Sequence, residues 1–203
     1  MLDHVLLDVI AAIRRTFEAA LLERQAVEER FQIDVFLGDV SWETSYSLPG
    51  EGSPPRVRTD ISLDWPTWSQ TAYRSWSIGE PPDDLPELVV EVALRIQRLA
   101  VAPDPGRVLA VLPQESPMLG GDVLVRSGPT VEQVYERSME VPQCAVEVSY
   151  EGTYRLDEAV LEHPAGLDHH VAALARWVAS TLVRLGDLEL SFLPPDDEEV
   201  GRP

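Results

Sequence analysis

A cluster of histidines near the C-terminal end has the residue types that catalysis or metal binding could use. His163, His169 and His170 lie close together, and Asp168 directly precedes the second of them. Imidazole and carboxylate groups serve as general bases and as zinc ligands. Neighbouring residues on a helix point about 100° apart, so His169 and His170 cannot easily bind one ion. We expect polar residues at a helix start, and keep as an alternative an enzyme, metal-dependent or not, that uses His163, Asp168 and His169.

Other catalytic signatures are missing from the chain. Cys144 is the single cysteine, which rules out an intramolecular disulfide or a cysteine zinc cluster and favours a buried structural thiol. The sequence has no G-x-S-x-G elbow, no H-E-x-x-H pair and no glycine-rich phosphate loop. We therefore expect no cofactor, and a non-enzymatic protein is the favoured class.

The segment from Trp65 to Trp76 has the most unusual composition, with three tryptophans and a tyrosine. Alternation predicts that Trp65 and Trp76 are buried, whereas Trp68 falls in a turn and Tyr73 follows it. An exposed tryptophan is a frequent anchor for a partner protein. Trp68 and Tyr73 are accordingly candidate binding residues; the alternative for Trp68 is that it folds back over the edge of the core.

Two acids, Asp60 and Asp64, lie on one side of a predicted strand, four residues apart. Their separation of about 13 Å is too large for sharing a proton or a metal ion. We assign both to a solvated acidic rim that steers a partner toward the aromatic anchor.

Charge is the strongest compositional signal. The chain has 35 acidic and 16 basic residues, for a net charge of −19, and it contains neither lysine nor asparagine, which indicates a GC-rich genome. The acidity has three interpretations: a solvated surface typical of the organism's proteins, a face for a basic protein partner, or a cation site. Direct binding to nucleic acid or to an anionic membrane is disfavoured, because both need clustered basic residues.

Length and hydropathy favour a globular chain. Its 203 residues suffice for a substantial core, and 44% of them are hydrophobic. No apolar run approaches the roughly 18 residues that span a bilayer, and the N-terminus has its charges in the wrong order for a signal peptide. We expect a cytoplasmic protein.

Hydrophobic periodicity predicts the elements that would hold these residues. Predicted helices cover residues 2–30, 84–100, 130–138 and 168–185, the last capped by Asp168. Predicted strands cover 31–46, 57–65, 72–78, 107–112, 122–126, 146–150, 154–156 and 188–192, with a hairpin turn at Glu151-Gly152.

This order predicts an α+β fold in which long helices pack on one face of an antiparallel sheet. We expect one domain over residues 1–193, alternatively built from two similar α-β-β-α-β halves, 1–127 and 128–193, followed by a disordered acidic tail, 194–203. Over the first 140 residues, the order of elements and the acidity resemble those of the small secretion chaperones, a resemblance that implies dimers that bind other proteins.

The favoured function is therefore a protein–protein interaction module: an adaptor, a chaperone-like protein or an inhibitor. Its partner would be another protein, with a basic partner the specific expectation. A homodimer or a structural subunit of a larger assembly is a further alternative.

Overall fold

The computed structural model describes residues 27–36, 38–48, 52–135, 142–156 and 164–195, together with seven helical positions between 7 and 19. The elements with defined bounds are β1 Val27–Phe36, β2 Asp39–Ser47, β3 Val57–Trp65, α1 Thr67–Ser77, β4 Glu87–Leu99, α2 Pro105–Leu109, β5 Val125–Val134, β6 Gln143–Arg155 and α3 Pro164–Gly186.

The strands form one antiparallel sheet of six strands in the order β1-β2-β3-β4-β6-β5. The first four strands follow chain order, and β6 inserts between β4 and the edge strand β5. The α+β class is confirmed, as is the predicted strand 57–65, which is β3. Its strict alternation of buried and half-buried residues is the pattern of a strand with one face in a core.

One side of the sheet carries the hydrophobic core. Val57, Ile61 and Leu63 of β3 stand opposite Ile96, Val92 and Val90 of β4, and all six are buried. The predicted helix 168–185 is confirmed within α3, but α3 begins at Pro164, so Asp168 lies inside the helix and does not cap it. The apolar stripe of α3 packs into the same core through Val171, Leu174, Val178, Leu182 and Leu185.

The predicted strand 72–78 is wrong, because this segment belongs to helix α1. Pro66 has the extended conformation of a helix N-cap, and its missing N–H costs nothing there. Ser69, Tyr73 and Trp76 then recur at helical spacing on the inner side of α1. The strand was predicted from the alternation of Ala72, Arg74, Trp76 and Ile78, and of these four residues only Trp76 belongs to the helical stripe.

The predicted helix 84–100 is also wrong, because this segment forms strand β4. The hydrophobic pattern of this segment fits both the helical period of about 3.6 and the strand period of two. The structure buries every second residue: Leu88, Val90, Val92, Leu94 and Ile96. β-branched residues favour a strand, and β4 is an interior strand of the sheet, so tertiary pairing decides the outcome.

The predicted hairpin at Glu151-Gly152 does not exist, because β6 runs straight through both residues. Gly152 lies opposite Val90, and a Cβ there would come within 2.9 Å of a Leu124 methyl carbon. The glycine thus permits a close approach of two segments within the sheet region, and does not mark a turn.

Several further predictions need correction. Strand β1 already begins at Val27, so no helix extends to residue 30, and the predicted strand 31–46 is two strands joined around Gly38. Residues 130–134 belong to β5, where a helix was expected, and residues 105–109 form α2 in place of the first part of a strand. Only the bridge between Leu99 and Phe192 represents the predicted last strand.

Most of the predicted first helix and the tail from residue 196 onward lie outside the described residues. Within them, α3 has 23 residues, but α1 has 11 and α2 has five, so the expectation of several long helices is wrong. The observed order also differs from the one that suggested two halves and a resemblance to secretion chaperones, so it supports neither.

Candidate functional site

Helix α1 is held at one end of the sheet by the β1–β2 turn. The Asp39 carboxylate accepts hydrogen bonds from the Thr67 amide at 2.6 Å and from the Thr67 hydroxyl at 2.7 Å. Negative charge at a helix N-terminus is favourable. The side-chain hydrogen bond from Thr67, followed by the one from its backbone, lowers the pKa of Asp39. Gly38, at φ +94, lets the turn approach Thr67 closely.

The buried Ser69 hydroxyl ties α1 to the core and to β4. It accepts from Trp65 Nε1 at 3.1 Å and from the Glu87 amide at 2.7 Å, and it donates to the Glu87 carbonyl at 2.6 Å. Because Ser69 directly follows Trp68, these bonds fix the position of the tryptophan relative to the start of β4.

The indole of Trp68 is exposed, with 48% of the residue accessible to solvent. Trp68 occupies the first turn of α1, and not the hairpin tip that the sequence suggested. Beside it lies a depression of about 450 Å³ whose described lining also includes Asp84, Leu85, Glu87 and Arg155. Leu85 is 53% exposed, so two large apolar side chains stand next to acidic groups.

Tyr73 occupies a different environment. Its ring meets Trp65 edge-on at 5.6 Å and stacks on Trp76 at 6.1 Å, and it packs against the core. Five helical positions separate Trp68 from Tyr73, which turns their side chains about 140° apart. The structure therefore does not bring the two predicted anchor residues together.

The side of the sheet opposite the core is polar, and we call it the open face. It consists of the odd-numbered positions of β2, of β4 up to residue 97 and of β6 from residue 147, together with the even-numbered positions of β3; Ser45 and Ser47 are buried on this side. Glu87 and Arg155 are partners at one end of this face. Because both also line the depression beside Trp68, the depression and the open face form one continuous surface.

Acidic residues dominate the middle of the open face. Glu91 stands directly opposite Glu151, and Glu43 lies in the same row two strands away, with Ser62 between. Glu91 and Glu151 have no hydrogen bond or ion pair in the part of the chain that the structure describes. Like charges directly opposite each other in a sheet repel and destabilise it.

The predicted rim acids Asp60 and Asp64 both lie on the open face. Asp60 accepts hydrogen bonds from Ser45 and from Arg58, with Arg58 Nη2 at 2.9 Å, so its charge is largely compensated. Asp64 lies opposite Ser41 and Val89 and makes no described ion pair. A depression of about 210 Å³ near Asp60 has its described lining on β2, β3 and β4.

The described arginines of the open face already form ion pairs with acidic residues. Arg95 donates to Glu132 at 2.7 Å and to Glu147 at 3.0 Å. Burial lowers the pKa of Arg95, but the hydrogen bonds and charges of the two glutamates outweigh it and raise the pKa overall. Arg155 lies 3.6 Å from Asp122. Within the described residues, these pairs leave Glu91 and Glu151, like Asp64, without a counter-charge.

The histidine cluster is described only in part. His163 lies outside the described residues, and the Asp168 side chain is not described although its backbone belongs to α3. His169 is exposed, and the Nδ1 of His170 lies 3.1 Å from the Tyr154 hydroxyl. Within the described ranges, no three metal-ligating side chains come together. The enzyme alternative remains a prediction, while the expected burial of Cys144 is confirmed.

Comparison of the chain with protein-family models, with curated proteins and with solved structures found no match. Among the described residues, no helix combines the length and the apolarity that crossing a membrane requires.

Sequence reasoning missed Leu85, Val89, Glu91 and Glu151. The available signal was the alternation on β4, where Glu87, Val89 and Glu91 interleave with Leu88, Val90 and Val92. Reading that segment as a strand would have placed the three odd-numbered residues on one surface.

Proposed function

We propose that this chain is a non-enzymatic, cytoplasmic protein-binding module, acting as an adaptor, a chaperone-like protein or an inhibitor. Its binding surface would run from Trp68 and Leu85 onto the open face. The observation that carries the proposal is a half-exposed tryptophan, fixed by its neighbours, beside an exposed leucine and near two opposed glutamates, Glu91 and Glu151, that have no described counter-charge.

The exposed area of Trp68 and the free energy gained by covering it suit an anchor residue for a partner protein. Covering the exposed half of the Trp68 indole would remove roughly 100 Å² of aromatic surface from water, a gain of about 2.5 kcal/mol. The helix already restricts the tryptophan backbone, and the Ser69 hydrogen bonds hold the helix in place, so little further ordering is needed on binding. Residues with these properties are typical interface hot spots.

The proposal is tested by capturing partners from native cell extract with three tagged forms: wild type, Trp68→Ala and Ile78→Ala. Ile78 is a matched control because it directly follows α1, is 71% exposed and lies about 15 Å from Trp68 along the helix axis. We expect a protein that wild type and I78A retain and that W68A retains about tenfold less well.

Thermal melts would show that the variants fold, since the Trp68 side chain makes no described hydrogen bond and alanine favours a helix. Equal capture by a well-folded W68A would contradict the proposed function.

A further inference from the structure

The binding surface has a direction along β4. Its open-face positions are, in order, Glu87, Val89, Glu91, Ala93, Arg95 and Gln97. Val89 is 38% exposed and continues the apolar character of Trp68 and Leu85, whereas the next position leads into the acidic row. Trp68, Leu85 and Val89 thus give one end of the surface apolar area beside Glu87, and Glu91 and Glu151 make its middle anionic.

The anionic middle lacks described counter-charges. Glu91 and Glu151 face each other across neighbouring strands, at a Cβ separation of about 5 Å. The nearest cation along β4, Arg95, already bridges Glu132 and Glu147. A positive group from outside would relieve the repulsion between the two carboxylates, which is a gain that a neutral partner could not supply.

The geometry favours a helix as the partner element. β4 is an interior strand, so its backbone groups already pair with β3 and β6 and cannot accept an added strand. The short side chains of Ser62 and Ala93 line the depression of about 210 Å³ near Asp60, which leaves room above β3 and β4. Three strands span about 10 Å, which matches the diameter of a helix.

The length of the open-face segment of β4 also suits a short helix. From Glu87 to Ala93 the strand covers about 20 Å, equivalent to about 13 residues of helix. A second copy of the chain is disfavoured as the occupant, because two open faces would place acid against acid in a protein of net charge −19.

Resting on the proposed function, we infer that the partner presents an amphipathic helix with lysine or arginine side chains. Its apolar residues would cover Trp68, Leu85 and Val89, and its cations would lie over Glu91 and Glu151. The helix would run along β4, across the open face.

The probe for this inference is a synthetic leucine–lysine peptide of about 14 residues, held helical by a staple, compared with an unstapled scrambled isomer of equal composition. Binding to the full chain is measured by titration calorimetry at low ionic strength. We expect the stapled helix to bind at least about tenfold more tightly than the isomer, because only the helix matches both the apolar and the acidic ends.

Two double variants complete the test. Glu91→Gln with Glu151→Gln should weaken the stapled peptide about tenfold, whereas Glu80→Gln with Asp83→Asn removes the same charge from exposed positions in a connecting segment and should change affinity less than about twofold. No binding of the stapled peptide, equal binding of the two peptides, or equal effects of the two double variants would overturn the inference.

These outcomes are separable from failure of the proposed function. If a protein captured through Trp68 is retained fully by E91Q/E151Q, the result supports the proposed protein-binding function and contradicts the inference that the partner presents a cationic helix. If W68A captures that protein as well as wild type does, the result contradicts the proposed function itself.

Discussion

Asp39 is not among the residues proposed to contact the partner, yet it fixes the start of helix α1, which carries Trp68. The Asp39 carboxylate accepts hydrogen bonds from the amide and from the hydroxyl of Thr67, the residue next to Trp68. The main chain on either side of the tryptophan is therefore fixed, by Asp39 before it and by Ser69 after it. An anchor held in this way loses little conformational freedom when a partner covers it.

Replacing Asp39 by alanine should lower the melting temperature at neutral pH, because α1 loses the acceptor at its N-terminus. The folded-state pKa of Asp39 lies below its ordinary value of 3.8, so its stabilisation is fully present above 3.8 and is lost as the pH falls through the folded-state pKa. Melting curves of wild type and D39A should therefore converge in acid.

Asp64→Ala is the control for this series, since Asp64 makes no described ion pair or hydrogen bond. A difference between wild type and D39A that stays constant from neutral pH down to strong acid would show that the carboxylate charge is not the cause.

At the scale of the elements, β4 and β6 place two glutamates directly opposite each other, and we expect this pair to weaken the sheet. Such a pair is typical of a surface that binds a ligand, since function often conflicts with local stability. The effect of this pair on stability can be measured on the isolated chain, without any partner.

Glu151→Gln should raise the melting temperature by about 1–3 °C at low ionic strength, because it removes the repulsion from Glu91. The gain should shrink in high salt, which screens exposed charges. Glu80→Gln, at an exposed position away from the sheet, should leave the melting temperature unchanged at both ionic strengths. An equal shift in both variants would contradict a specific Glu91–Glu151 repulsion.

Local pattern was sufficient to predict some elements and insufficient for others. β3 and α3 each show one clear period, and both were found. Residues 84–100 fit two periods, and the choice depended on pairing with β3 and β6, which no local window contains. Within the site, Trp68 was identifiable by type, but Glu91 and Glu151 meet only through a register between strands sixty residues apart.

At the scale of the whole molecule, the charge of −19 generates a field that acts before contact. The arginines whose ion pairs are described lie beside acids, so these arginines form no basic patch on the described part of the open face. Such a field would raise the association rate of a cationic partner and would affect the dissociation rate much less.

For the captured partner, the association rate constant should fall about tenfold between low and high ionic strength, while the dissociation rate constant changes about twofold or less. Stopped-flow or surface-binding kinetics would measure both. E91Q/E151Q should show a shallower salt dependence than E80Q/D83N. An association rate that does not depend on salt would contradict electrostatic steering.

The most direct test of the binding surface is footprinting of the intact complex by mass spectrometry. Carboxyl labelling and indole oxidation would be compared between the chain alone and the chain with its captured partner. The account predicts protection of Trp68, Glu91 and Glu151 and unchanged labelling of Glu80 and Asp83. Full labelling of Trp68 and Glu91 in the complex, with protection elsewhere, would contradict it.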